Sequence, residues 1–167
     1  ATAKLIVERF GEDSLIIMDE EPERLEEIKG ITRKRAKEIG EEFRRQTSMR
    51  RLMEFFAQHN IKVEYALRLY KSYGADAQSA VMNNPYILAD EYFGAEFAEA
   101  DGLALSLGFE SDCPERVEAA ATFELSHNAN NGHTFIPRNK LAVVAAQLIG
   151  VSDETAASAI DRLIDCG

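Results

Sequence analysis

The sequence predicts a mainly all-α protein: two copies of a unit of short helices and tight turns, then a small helical module with one short strand or hairpin. Three observations carry this. Residues 3–39 and 66–103 align as an internal repeat at an offset of about 63 residues. Glycine and proline punctuate both copies at matched positions. Between them, apolar residues recur at helical spacing almost everywhere. Ala3 aligns with Ala66, Phe10 with Tyr73, Gly11 with Gly74, Asp13 with Asp76, Pro22 with Pro85 and Leu25 with Leu88. After one inserted residue, Gly30 aligns with Gly94 and Ala36 with Ala100.

The elements follow in order. Residues 2–10 place Ile6 and Phe10 on one face and stop at Gly11. Residues 14–19 form a second short helix. Pro22 suits the first position of a third, with Leu25 and Ile28 inward and Gly30 ending it. Residues 33–45 read as a basic helix with Ala36, Ile39 and Phe43 inward. Residues 49–58 read as a separate, strongly apolar helix carrying Leu52, Met53, Phe55 and Phe56. The second copy repeats the order at 63–73, 76–83, 85–92 and 97–107, closed by Gly108. The polar stretch from Glu110 to Pro114 marks a boundary. Beyond it come a helix at 115–128, a strand at Thr134-Phe135-Ile136 ended by Pro137, and helices at 139–149 and 153–164. Gly150 stops the first of these and Ser152 caps the second. The expected organisation is 1–47, 48–109 and 110–167, the last part compatible with a small helical or winged-helix-like module or with the incomplete start of a larger domain.

Net charge is −10 over 167 residues, which by itself argues against a polyanionic partner. The distribution reverses that reading. Residues 29–51 hold nine of the nineteen Lys and Arg against three acids, leaving the rest of the chain at −16. Such a molecule binds a polyanion at its basic stripe and repels it elsewhere. A solvated helix face laced with ion pairs is the bland alternative. No apolar run is long enough to span a membrane, and no secretory leader pattern opens the chain. Two distant cysteines, Cys113 and Cys166, read as reduced thiols, and the expected compartment is the cytoplasm.

Each copy contains a helix, a glycine-initiated turn and a second helix. In the first this is Leu25-x-x-Ile28-x-Gly30-Ile31-Thr32-x-x-x-Ala36-x-x-Ile39. In the second it runs from Leu88 through Gly94-Ala95-Glu96-Phe97 to Ala100. The pattern resembles the helix-hairpin-helix motif, in which the turn aims backbone N–H groups at a phosphate from a helix N-terminus. Such contacts carry no base information, so binding is expected to be sequence-independent. The motif's second glycine is Thr32 in one copy and Glu96 in the other. Thr32 can cap its helix, and Arg33, Lys34, Arg35 and Lys37 follow it. Gly30, Ile31, Thr32, Arg33, Lys34, Arg35 and Lys37 are therefore the candidate DNA contacts. Glu96 places negative charge where a phosphate would sit, and residues 90–124 hold ten acids against one Arg. The second hairpin is expected to be structural or a protein contact. His59-Asn60-Ile61-Lys62 resembles a degraded hairpin with Asn in place of Gly. Asn60, Lys62 and Gly94 are the weaker candidates. The counterpart of the 59–62 stretch would lie upstream of residue 1, so the sequence is expected to be part of a longer protein.

The whole chain resembles the N-terminal, non-motor region of the long RecD-like DNA helicases, relatives of the exodeoxyribonuclease V alpha subunit. The resemblance rests on ERFGEDSL (8–15), EPERLEEIKGI (21–31), FFAQHNI (55–61), LYKSYGADA (69–77), NPYILADEYFG (84–94), SLGFESDCPERV (106–117) and GHTFIP (132–137). It implies a parent enzyme that hydrolyses ATP with magnesium, unwinds DNA 5′ to 3′, and serves DNA repair and recombination. That motor needs a G-x-x-x-x-G-K-[ST] loop, and this chain has no Gly-Lys dipeptide. The chain itself is thus expected to be non-catalytic and without cofactor. Its expected partners are single-stranded or junction DNA and the motor domains of the same polypeptide, with no membrane. The alternative is a scaffold that docks on the motor or on a repair partner.

Other constellations read as structure. His127, His133 and Cys113 fit no zinc spacing. Ser126 beside His127 lacks a nucleophile elbow. Asp19-Glu20-Glu21 and Glu26-Glu27 read as solvated helix faces. Phe55, Phe56, Tyr65, Tyr70 and Tyr73 read as core rather than base-stacking residues.

Overall fold

The computed structural model describes residues 2–132 and 134–166, without the side chain of Cys166. The first unit comprises α1 (Thr2–Phe10), α2 (Ser14–Glu20), a 3-10 turn at Pro22–Glu27 and the start of α3 (Arg33–Gln58). The second repeats it with α4 (Glu64–Tyr73), α5 (Ala77–Asn83), a 3-10 turn at Pro85–Ala89 and α6 (Phe97–Ser106). Then come α7 (Pro114–Asn130), α8 (Arg138–Ile149) and α9 (Asp153–Cys166).

The repeat is a repeat of backbone geometry. Phe10 and Tyr73 end their helices at φ −114°, ψ −9° and φ −115°, ψ −8°. The glycines that follow, Gly11 and Gly74, have φ +55° and +57°. Both are open-space positions, so glycine is needed there for backbone angle and not for room.

The two helices expected at 33–45 and 49–58 are one helix of 26 residues, α3. Gln46-Thr47-Ser48 contains neither Gly nor Pro. The Ser48 hydroxyl donates back to the Arg44 carbonyl, so it is satisfied inside the helix rather than capping a new one. Met53 lies on the outer face. The N-terminal half of α3 sends Ala36 into a small core with Ile6, Ile17, Leu25 and Ile28. Its C-terminal half sends Leu52, Phe55 and Phe56 into the main core. One helix is thus the spine of both.

The main core runs without interruption from Leu52 to Ile160. The polar stretch at 110–114 therefore does not separate two cores: Val117, Ala120 and Ala121 of α7 pack with Leu103 and Ala104 of α6. The strand expected at Thr134–Ile136 does not form. Among the described residues there is no strand at all, and a ladder needs two. Ile136 packs against the main core while Phe135 faces solvent. Of the aromatics read as core, Phe55, Phe56 and Tyr65 are buried and Tyr70 is partly so, but Tyr73 is exposed and stacks on Phe93 at 6.2 Å.

Candidate nucleic-acid interface

The first hairpin is built by the end of the Pro22–Glu27 turn and the start of α3. Leu25 and Ile28 anchor it in the small core. The Ile31 N–H donates to the Ile28 carbonyl at 3.0 Å, and the chain reverses through Gly30 at φ +98°. A Cβ at Gly30 would meet nothing within 4 Å, so that glycine too serves backbone angle, and its surface is open to a ligand. Thr32 is the N-cap: its Oγ1 accepts from the Arg35 N–H at 3.3 Å. Ala36, fully buried, seats the helix start on the core.

The electrostatics of that helix start are unusual. The first turn of α3 carries no acid, while Arg33, Lys34, Arg35 and Lys37 crowd it, all exposed. A helix N-terminus is the positive end of the helix dipole and is stabilised by anions, not cations. Arg33 reaches Glu26 at 4.0 Å, Arg35 reaches Glu38 at 3.1 Å and Lys37 reaches Glu41 at 3.8 Å, all as solvent-exposed pairs. Lys29 and Lys34 have no ion-pair partner among the described residues. Four exposed cations thus gather at the positive end of the α3 dipole, three of them sharing exposed acids and Lys34 with no ion-pair partner among the described residues. Arg44, by contrast, serves the fold: its guanidinium donates to the Asp19 carbonyl at 2.7 Å.

The second hairpin also turns at a positive-φ glycine but closes through other backbone bonds, Gly94 N–H to the Asp90 carbonyl and Ala95 N–H to the Leu88 carbonyl, and its chemistry is the opposite. Gly94 stands at φ +78°, and Ala100 is fully buried like Ala36. The Glu96 N–H donates to Glu99 Oε2 at 3.1 Å. The same carboxylate accepts from the Tyr65 hydroxyl at 2.8 Å and pairs with Lys62 at 3.2 Å. Burial alone would raise the Glu99 carboxyl. Hydrogen bonds from Tyr65, the Glu96 backbone and Lys62 outweigh it and hold the group below its ordinary value. The Lys62 ammonium is held above its ordinary value by Tyr65 and then Glu99. The helix start of α6 thus already holds an anion of its own, Glu99, and Lys62 is committed to it. Gly94 also has a neighbour that Gly30 lacks, since a Cβ there would meet Arg68 Nη1 at 3.0 Å.

Asn60 is the only described non-glycine residue at positive φ, +57°. It ends α3 with two backbone bonds, Asn60 N–H to Ala57 O at 3.3 Å and Ile61 N–H to Phe56 O at 2.8 Å, the paired closure of a Schellman cap. Ile61 is buried beneath it.

A further hairpin was not read from the sequence as one. Gly150, at φ +74°, joins α8 to α9. Val151 follows, and Ser152 Oγ accepts from the Thr155 N–H at 3.1 Å, as Thr32 does from Arg35. Ala156 is fully buried. The spacing of a positive-φ residue, an apolar residue next and a buried Ala six residues on holds at 30/31/36, 60/61/66, 94/95/100 and 150/151/156. That spacing was visible in the sequence, but 150–156 lies outside the aligned repeat. Asp153 and Glu154 occupy the first turn of α9, so of the four helix starts only that of α3 concentrates cations.

Among the described residues no three of His, Cys, Asp and Glu converge as a metal site. Burial pushes the Cys113 thiol up, away from the reactive thiolate. His133 and the Cys166 side chain lie outside the described residues. No described helix is long and apolar enough to cross a membrane.

Comparison with known proteins gives two findings. Residues 45–135 match the family model described as the ATP-dependent RecD2 DNA helicase HHH domain. That match covers the second unit and α7 and begins after the first hairpin. The chain is also 26% identical over 163 residues to the ATP-dependent RecD2 DNA helicase of Deinococcus radiodurans, covering 97% of this chain. It spans 23% of that relative's length.

Proposed function

The chain belongs to the ATP-dependent RecD2 DNA helicase HHH domain family, and on that footing we propose that it is a non-catalytic DNA-binding region of an ATP-dependent 5′–3′ DNA helicase. It holds the DNA backbone through Gly30–Lys37 without reading bases. ATP and magnesium serve the motor of the parent polypeptide, and no step of that chemistry runs through these residues. The observation that carries the reading is the start of α3. Four cations stand at the positive end of a helix dipole with no acid in the first turn, an arrangement that disfavours the isolated fold and favours a bound phosphate. Single-stranded or junction DNA near the motor is the expected ligand.

Fluorescence anisotropy at low salt tests this. The wild type binds oligonucleotides of unrelated sequence alike, with affinity that falls steeply as salt rises. The Arg33/Lys34/Arg35→Glu triple variant binds at least about tenfold more weakly. Equal affinity for both proteins rules out the first hairpin as the contact.

A second reading draws support from the charge outside the stripe. The acidic second unit, with Glu99 holding its own helix start, is then a scaffold that docks on the motor or a repair partner. It predicts that this chain binds the separately expressed motor while ignoring DNA, and a pull-down that recovers no motor removes it.

A further inference from the structure

We propose that Phe135, with the two clefts that meet at it, is a stacking platform for an unpaired base, so that this end of the chain selects single-stranded over duplex DNA. This rests on the helicase reading above and goes beyond it: the first hairpin holds a phosphate backbone of any strand, whereas this site needs a base outside its pair. Phe135 is 77% exposed, more than any other large hydrophobic residue of the described chain. Its backbone is nevertheless anchored. Ile136 packs on the main core. Pro137 leads into α8 at φ −57°, ψ 134°, and its carbonyl accepts from the N–H groups of Lys140 and Leu141 at 2.9 and 3.0 Å. The ring is held out to solvent from a fixed point.

One cleft of about 290 Å³ runs from Phe135 toward α7, and a second of about 440 Å³ runs toward the start of α8. Their polar side chains are Ser126, Asn128, Thr134 and Lys140, and neither cleft is lined by an acid. In this chain that is exceptional. It carries 29 acids, yet none stands between Glu124 and Asp153, and every other acid-free run is less than half as long. The first turn of α8 brings in Arg138 and Lys140 and no acid. Arg138 is held by Asp161, Nε to Oδ1 at 2.6 Å. Lys140 is exposed and has no ion-pair partner among the described residues. An exposed ring beside an uncommitted cation, in the acid-free part of an acidic molecule, is complementary to a base and its phosphate. Charge is what separates this occupant from an apolar protein surface, which would cover the ring and leave Lys140 unused. In a duplex the bases already stack on one another, so the ring has no base face to meet. Stacking tolerates any base, which agrees with binding that ignores sequence.

The chain contains no Trp, so Phe135→Trp supplies a single fluorescent reporter at an exposed position. At low salt, oligothymidylate should quench it saturably, and a blunt duplex of the same length should not. By anisotropy, Phe135→Ala should lower oligothymidylate affinity about fivefold or more and leave duplex affinity unchanged, while Phe135→Tyr keeps both. Lys140→Gln should weaken oligothymidylate binding and reduce its salt dependence by about one counterion. In the full-length helicase, photoreactive benzoylphenylalanine at position 135 should crosslink to a single strand. Absent quenching, equal quenching by duplex, unchanged affinity in Phe135→Ala, or a crosslink to protein alone overturns the proposal. The duplex affinity of the Arg33/Lys34/Arg35→Glu variant reports separately on the first hairpin, so the two readings fail independently.

Discussion

Arg116 grips Asp101 with two nitrogens, Nε to Oδ1 at 2.7 Å and Nη2 to Oδ2 at 2.9 Å. Its remaining nitrogen donates to the Ser111 carbonyl at 2.6 Å and to the Ile149 carbonyl at 2.9 Å. One buried guanidinium therefore ties α6, the 110–114 loop, α7 and the end of α8 together. Tyr86 adds its hydroxyl to Asp101 at 2.8 Å.

Arg116→Met is expected to cost about 3 kcal/mol, because it strands a largely buried carboxylate and two carbonyls. Urea denaturation measures it. Asp101→Leu with Arg116→Met should cost less than the two single changes added. The pH dependence has a definite sign. Burial alone would raise the Asp101 carboxyl, but Arg116 and Tyr86 outweigh it and hold it below its ordinary value. A depressed carboxyl stabilises above its unfolded pKa and loses that contribution as pH falls through the folded one. Wild type should therefore lose stability below about pH 4, and Asp101→Asn should lack that share of the loss. Burial and Asp101 push the Tyr86 phenol up. Its share is present below the ordinary tyrosine pKa and is lost as pH rises beyond it.

Gly40 sets two effects against each other. It lies inside α3, where Gly→Ala ordinarily gains about 1 kcal/mol. A Cβ there would meet the Pro22 Cβ at 2.5 Å and the Met18 carbonyl at 3.2 Å. Pro22 is buried and its ring cannot rotate away. Gly40→Ala should therefore destabilise the first unit by about 1–3 kcal/mol. Hydrogen exchange should rise in α1, α2 and the start of α3 and stay unchanged in the main core. A more stable variant would show that the 3-10 turn yields.

What was legible in the sequence was local geometry. Gly11 and Gly74, Pro22 and Pro85, and Ala36 and Ala100 each encode a backbone state that the chain adopts with little help from its surroundings. What escaped was set by packing at a distance. Thr47 and Ser48 permit either a break or a continuous helix, and continuity is decided by both halves of α3 having a core to enter. Thr134-Phe135-Ile136 carries strand composition but no partner. At the candidate site, the cations of the first hairpin were readable by counting. The filling of the second hairpin is only half readable: Glu96 is the acid in the motif position, yet Glu99 holds the helix start, because Tyr65 and Lys62 approach it from α4 and the loop before it.

Lys34→Glu separates stability from binding. It puts an acid into the first turn of α3 and removes a cation that has no ion-pair partner among the described residues. The melting temperature should rise by about 1–2 °C through the helix dipole. DNA affinity at low salt should fall in the same protein. A variant that melts lower would contradict the view that the α3 start is held unfavourably charged for a ligand.

Glu99→Gln asks whether the second hairpin was silenced by charge or by shape. The amide keeps a carbonyl oxygen for the Glu96 N–H and the Tyr65 hydroxyl, so the helix start should survive. Lys62 loses its ion-pair partner at 3.2 Å and becomes available. With one more cation facing outward beside an N-terminus freed of its own anion, low-salt DNA affinity should rise. The salt dependence should steepen by about one counterion. Adding Lys62→Ala should return both to wild type. If Glu99→Gln binds like wild type while keeping its fold by circular dichroism, charge is not what closes this hairpin. The close approach of Arg68 beneath Gly94 would then be what shapes the loop away from a phosphate.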